Sequence, residues 1–425
     1  MRKWYSLYDK VCTEPNLWHA WKRVEANEGA PGCDGQTIAH FGANPREYLR
    51  QLRKELRSKT YRPRPVKRVL IPKSDGDQRP LGIPCVRDRI VQVALVQILE
   101  PIYDPQFSRF SHGFRPGKGC QTALAIVDQA LHVGYTWVVD LDIRRFFDTV
   151  NHEVLLATVA EQIVDGSVLH LLRAILRSGV MLTPGDEPEP TEIGTPQGGP
   201  LSPLLANIYL HTFDTAMRSQ MIPLVRYADD VVMFAHSRQE AEAHLASARQ
   251  VLEGPLKLTL HPIKTCVVSI DDGFCYLGFS YVRDRKGRIQ KGVRAEALAR
   301  FRTRIRKLTP RNAGQRRCTV RRATMEHLRR HRRLKLVIKE VNSYLRSWGA
   351  YFMQARTSWN WCESLDKFIR RRLRSLVAGR FAIGCWHQIM PNSLFDELGL
   401  WSMVNAYWYV RKGRIQELCI STHQA

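Results

Sequence analysis

Two carboxylates stand side by side at Asp229 and Asp230, inside Arg226-Tyr-Ala-Asp-Asp-Val-Val-Met-Phe234. β-Branched and aromatic residues flank them, so the segment reads as a hairpin with the acids at its turn. Adjacent carboxylates repel one another, which costs stability unless a cation stands beside them. No Lys or Arg occurs in the seven residues after Asp230. An external metal ion is therefore the natural partner of this turn, and ligation by oxygen alone suits Mg2+. Taken by itself, an Asp-Asp pair reads equally well as a polar turn.

A second apolar run weakens that plainer reading. Trp137-Val-Val-Asp-Leu-Asp142 is rich in strand formers, ends in an acid, and leads into an expected helix through Phe147 and Asp148. Three carboxylates at the ends of two strands describe a site for two-metal phosphoryl transfer. In such chemistry one metal lowers the pKa of a 3′-hydroxyl for in-line attack. The other holds a triphosphate and stabilises the leaving pyrophosphate.

Charge supplies the partner. Lys+Arg exceed Asp+Glu by 65 to 40, a net +25 with a pI near 9.9. The surplus is confined to one stretch. Residues 1–282 carry 32 basic and 31 acidic side chains, residues 283–380 carry 30 and 6, and residues 381–425 carry 3 and 3. So few acids cannot pair so many arginines, and a polyanion such as nucleic acid relieves the repulsion. The basic stretch also has helical period. Leu298, Phe301, Ile305 and Leu308 share one face, with Arg300, Arg302, Arg304 and Arg306 on the remaining turns. Further apolar faces run from Leu334 to Trp348 and from Leu365 to Leu376, which predicts a small bundle of amphipathic helices. Arginines are densest between Arg316 and Lys335.

The ten cysteines include no Cys-x-x-Cys pair, which argues against a zinc ribbon or an HNH-type module and for reduced core thiols. No apolar stretch nears the ~20 residues that cross a bilayer, and no apolar signal core follows the N-terminus. A cytoplasmic protein with no membrane partner is expected.

With these residues in place, the chain resembles the bacterial group II intron reverse transcriptase/maturase family. Tyr227-Ala-Asp-Asp230 looks like the active-site hairpin of a reverse transcriptase. Asn27-Glu-Gly-Ala-Pro-Gly-Cys-Asp-Gly35 resembles the N-terminal extension. Leu70-Ile-Pro-Lys73 with Arg79-Pro-Leu-Gly-Ile-Pro-Cys-Val-Arg-Asp-Arg89, and Ser111-His-Gly-Phe-Arg115-Pro-Gly-Lys118, resemble the fingers motifs. Gly194-Thr-Pro-Gln197-Gly-Gly-Pro-Leu-Ser-Pro203 looks like the Gln-Gly loop. Leu258-Thr-Leu-His-Pro-Ile-Lys264-Thr265 and Tyr276-Leu-Gly-Phe279 match the last palm motifs. Ser347 to Phe352 and Leu365 to Leu376 resemble the maturase thumb. Each motif is short, and their common order along the chain makes the resemblance specific.

The resemblance implies an α+β right-hand polymerase: fingers and palm with an antiparallel palm sheet, then an α-helical thumb/maturase domain. The expected division is 1–60 for the extension, 61–282 for fingers and palm, 283–380 for the thumb, and 381–425 for a short tail whose aromatics pack on something. It implies that Asp142, Asp229 and Asp230 hold two Mg2+ ions, with Mn2+ as a substitute. Lys73, Arg79 and Gln197 would contact the dNTP, and Phe147 would wall off its 2′ position. Arg115, Lys118 and Lys264, with Arg300, Arg304, Arg316, Arg317, Arg321 and Arg322, would touch nucleic acid. Lys264 could alternatively pair with the metal-site acids. Lys257 and Ile263 stand where the sixth palm motif usually has glycine and glutamate. The expected partners are an RNA template, a DNA primer, their hybrid, dNTPs and intron RNA. Two other roles stay open: a splicing cofactor that mainly binds RNA, and a domesticated relative serving DNA repair or phage defence.

Overall fold

The computed structural model describes residues 2–72, 78–181, 192–195, 198–310, 325–355, 359–378 and 386–411. The chain forms two compact units, residues 1–269 and 270–425.

The first unit begins with helices Glu14–Ala26 and Pro45–Arg57, each with Pro in its first turn, where the missing N–H costs nothing. An antiparallel hairpin follows, β1 (Val66–Pro72) and β2 (Gln78–Ile83). The helix Val86–Tyr103 is buried nearly all round, with Asp88, Arg89 and Gln92 among its buried residues. After the helix Cys120–Val133 come β3 (Trp137–Asp142) and β4 (Val180–Met181), the latter parallel to β1. The helix Ser202–Ser219 leads into β5 (Leu224–Tyr227) and β6 (Asp230–Ala235). The helix Arg238–Glu253 and β7 (Cys266–Ser269) complete the unit.

Strands β5, β6, β3 and β7 form one antiparallel sheet in that order. Both faces are covered. Val139, Leu141, Val231 and Met233 join a core with Leu205, Phe213 and Leu252, while Val138, Val225, Val232 and Phe234 are buried on the other side. Strands buried on two faces read as continuous apolar runs, so the acids at their ends stand out.

The second unit opens with a three-stranded antiparallel sheet of β8 (Phe274–Tyr276), β9 (Phe279–Arg283) and β10 (Ile289–Val293), in the order β10-β9-β8. The predicted helices are present as Ala295–Leu308, Arg332–Phe352 and Trp359–Ala378. Phe301, Ile305, Leu334, Ile338, Leu345, Trp348, Leu365, Ile369 and Leu373 form their core. The tail does pack: the Trp401 ring lies against Gly349, where an added Cβ would stand 2.9 Å away, and the buried Asp366 carboxylate accepts from the Met403 N–H at 2.8 Å.

The basic faces are not uniformly outward. Arg300, Arg302, Arg304 and Arg306 are exposed, but Arg372 and Arg374 are buried. Arg372 donates to Thr309, and Arg374 donates to the Met390 carbonyl and the Asn392 side chain, both at 2.9 Å. These two cations close off backbone acceptors inside the bundle. Among the described residues, no helix is long and apolar enough to cross a membrane, and the described cysteines are free thiols.

Candidate active site

The antiparallel register fixes the two strand ends together. Asp142, last residue of β3, pairs directly with Asp230, first residue of β6, and Asp230 also pairs with Tyr227 across the hairpin. Ala228 and Asp229 make the turn between β5 and β6, with Ala228 in the left-handed region at φ +58°. The sheet thus gathers all three predicted acids at one end. All three are half-buried.

The 260–265 segment supports Asp142 from the side. Its carbonyl accepts from the His261 N–H at 2.8 Å, and its N–H and carbonyl both meet the Thr265 hydroxyl at 3.3 Å. Lys264 Nζ lies 3.4 Å from Asp142 Oδ2. Lys264 thus stands beside the acids.

Three oxygen donors at the ends of adjacent strands, two of them directly opposed, suit a hard divalent cation. Among the described residues, however, no group of three or more His, Cys, Asp or Glu side chains is already gathered as a metal cage.

Phe147 occupies the helical turn Phe146–Thr149 that follows β3. It lines a cavity of about 300 Å3 together with Arg68, Pro80, Gly82, Arg145 and Thr195. Phe146, fully buried, packs edge-on against Tyr209 and serves as the core ring. The start of the Gln-Gly loop is fastened here: Gly194 N–H donates to the Val150 carbonyl at 2.8 Å and Thr195 N–H to the Phe147 carbonyl at 2.6 Å. Gly198 has φ +113°, and a Cβ there would meet the Gly82 carbonyl oxygen at 2.7 Å, so only glycine fits between the loop and β2. Gln197, Lys73, Arg316, Arg317, Arg321 and Arg322 lie outside the described residues. The Arg79 backbone pairs with Ile71 in the β1–β2 hairpin.

Arg115 and Lys118 turn inward. The Arg115 guanidinium donates to the Asp104 carboxylate at 2.7 Å and to the carbonyls of Asp104, Ser108 and Ser111. Lys118 Nζ donates to the Arg109 carbonyl at 2.7 Å. The nucleic-acid contact expected of these two finds their donors engaged in closing their own loop. Beside them, His112 is buried and bonds Thr122 at 2.7 Å. Burial, and then the charges of Lys118, Arg115 and Arg226, push its pKa down to about 4. A hydrogen bond with Cys120, then burial, push the Tyr227 phenol up to about 12.

Sequence reasoning assigned no role to Arg226, Asp214, Asn207, Arg68 or Arg145. Arg226 carried a signal, since it is a charged residue within a strand otherwise built for burial. Arg68 and Arg145 carried none, because their shared cavity exists only once β1 and the turn after β3 are brought together.

The comparisons with known proteins agree with this geometry. Residues 71–281 match the family model described as reverse transcriptase (RNA-dependent DNA polymerase), and residues 317–390 match the group II intron, maturase-specific domain. Protein YkfC of Escherichia coli (strain K12) is 37% identical over 317 residues, 65% of this chain and 83% of YkfC. The group II intron-encoded protein LtrA of Lactococcus lactis subsp. cremoris is 38% identical over 204 residues, 47% of this chain and 33% of LtrA. The uncharacterized 91 kDa protein in cob intron of Schizosaccharomyces pombe is 38% identical over 197 residues, 46% of this chain and 24% of that protein. The chain therefore spans most of one such relative and a third or less of the other two. It belongs to the group II intron-like reverse transcriptase and maturase family, among the RNA-directed DNA polymerases. Reverse transcriptases use divalent metal ions, and the family's partners are template, primer and intron RNA.

Proposed function

We propose that this protein copies RNA into DNA by adding dNTPs to a primer 3′-hydroxyl, and that it binds intron RNA as a maturase through its second unit. The observation that carries the reading is the direct pairing of Asp142 with Asp230, one residue from Asp229. A pure RNA binder gains nothing from three acids facing a polyanion. Two Mg2+ ions, with Mn2+ as substitute, would be held by Asp142, Asp229 and Asp230, and when bound they supply charge for the attacking and leaving oxygens.

The remaining steps belong to this chain's side chains. Phe147 walls the cavity where the sugar of the incoming nucleotide would sit, and its ring excludes a 2′-hydroxyl. Arg68 and Arg145 line that cavity, so a triphosphate there meets two cations besides the expected Lys73 and Arg79. These donors favour the charge that grows on the leaving pyrophosphate. The Gln197 loop, held at Thr195 and Gly198, borders the nascent base pair. Arg300 and Arg304, both exposed, with Arg316, Arg317, Arg321 and Arg322, grip phosphates of the RNA–DNA hybrid with little sequence readout.

The test is primer extension by the full chain. A DNA primer on an RNA template, with four dNTPs and Mg2+, should be extended to the template end. No extension at any Mg2+ or Mn2+ concentration would overturn the reading.

A further inference from the structure

A buried ion pair, Arg226 with Asp214, stands directly behind the turn that carries Asp229 and Asp230. Arg226 lies on β5, is fully buried, and directs its guanidinium at the helix Ser202–Ser219. Nε and Nη2 donate to the two oxygens of Asp214 at 2.8 and 2.6 Å. Nη1 donates to Asn207 Oδ1 at 3.0 Å and to the Ala228 carbonyl at 2.8 Å. Asn207 and Asp214 are two helical turns apart, which places both on one face of that helix.

The network reaches a second segment. Asn207 Nδ2 donates to the Gly113 carbonyl at 2.9 Å. Gly113 lies so close to the turn that an added Cβ would stand 2.3 Å from the Ala228 nitrogen. Backbone bonds flank this contact: Arg226 N–H donates to the Phe110 carbonyl at 2.9 Å, and His112 N–H donates to the Arg226 carbonyl at 2.8 Å. The turn is thus clamped from the 110–113 segment and from the helix through one guanidinium.

Packing alone does not call for this arrangement. A buried ion pair can commonly be replaced by apolar side chains of similar volume without loss of stability. No apolar side chain can donate to the Ala228 carbonyl. That carbonyl belongs to the peptide joining Ala228 to Asp229, and Ala228 holds a left-handed conformation that non-glycine residues adopt at a cost.

We propose that Arg226, itself oriented by Asp214 and Asn207, is a positioning residue that fixes the Ala228–Asp229 peptide. It thereby sets the direction of the Asp229 and Asp230 carboxylates toward divalent cations. The inference rests on the reading of those acids as the metal-holding groups.

The test compares the full wild-type chain with the double variant Arg226→Met/Asp214→Leu and with Arg226→Lys. The double variant removes the donor and both buried charges together. Arg226→Lys keeps a charge for Asp214, but its compact ammonium cannot span the carboxylate and the carbonyl. Thermal unfolding and hybrid binding establish that each variant is folded. The readouts are the Mg2+ concentration giving half-maximal nucleotide incorporation and Mn2+ binding followed by electron paramagnetic resonance. The expected result in a folded variant is a tenfold or greater rise in the Mg2+ requirement and a matching loss of Mn2+ affinity, with hybrid affinity within twofold of wild type. Wild-type metal dependence in either folded variant would overturn the proposal. Asp229→Ala/Asp230→Ala is the reference: if it retains Mn2+ binding and incorporation, the underlying metal-site reading fails. If it loses both while the folded Arg226 variants behave as wild type, only the positioning role fails.

Discussion

Asp142 and Asp230 are direct cross-strand partners at the open end of a sheet whose two faces are otherwise buried. Like charges set directly opposite each other destabilise a sheet. Asp230→Asn should therefore raise the unfolding temperature slightly in the absence of divalent ions. It should also abolish the stabilisation that Mg2+ gives the wild-type chain. Thermal scans with and without Mg2+ measure both effects, and an unchanged Mg2+ response would remove Asp230 from the metal site.

Lys264 stands 3.4 Å from Asp142, and both side chains are substantially exposed, at 59% and 37%. Exposed pairs contribute about 0–1 kcal/mol, so Lys264→Met should barely move the unfolding temperature. Its effect should appear in metal binding, because the ammonium competes for the same carboxylate. A severalfold fall in the Mg2+ concentration for half-maximal incorporation is expected. A titration identical to wild type would place Lys264 outside the site.

Phe146 and Phe147 are both buried in the core, and of the two Phe147 also lines the cavity shared with Arg68 and Arg145. Phe147→Ala should raise the ratio of ribonucleotide to deoxynucleotide incorporation at least tenfold. Removing a buried ring also costs roughly 3 kcal/mol, so the assay belongs well below the variant's unfolding temperature. Unchanged sugar discrimination would make Phe147 a core residue and nothing more, like its neighbour.

His112 supplies a pH signature. Its pKa falls from 6.5 to about 4 on folding, through burial and the nearby charges of Lys118, Arg115 and Arg226. The unfolded chain binds the proton more readily between these values, so stability rises with pH across that window. As pH falls from about 6.5 to about 4, the folded state should progressively lose stability through this group. Asp88 works in the opposite direction, since burial raises its pKa to about 6. Comparing wild type with His112→Gln isolates the histidine, and the variant should show the flatter loss toward acid. Equal slopes would contradict a buried neutral His112.

Much of this site is legible in the amino-acid sequence. The hairpin around Asp229 and Asp230 follows from strand formers on both sides of two acids. Asp142 follows from an apolar run that ends in a carboxylate. The helices of the second unit follow from apolar spacing at Phe301, Ile305, Leu334 and Leu373. What composition could not convey is direction. Arg115, Arg226, Arg372 and Arg374 count as charge in the sequence, yet each faces inward and donates to carbonyls or an acid. Partners such as Asp214 and Asn207 become visible only when the helix packs against β5, and the Gly113 carbonyl only when its loop reaches Asn207.

The most direct measurement is single-nucleotide incorporation on an RNA template by Asp229→Ala/Asp230→Ala, with hybrid affinity measured on the same preparation. The predicted result is loss of incorporation to background with hybrid binding nearly intact. Continued synthesis by a folded double variant would contradict the assignment of this sheet edge as the catalytic centre.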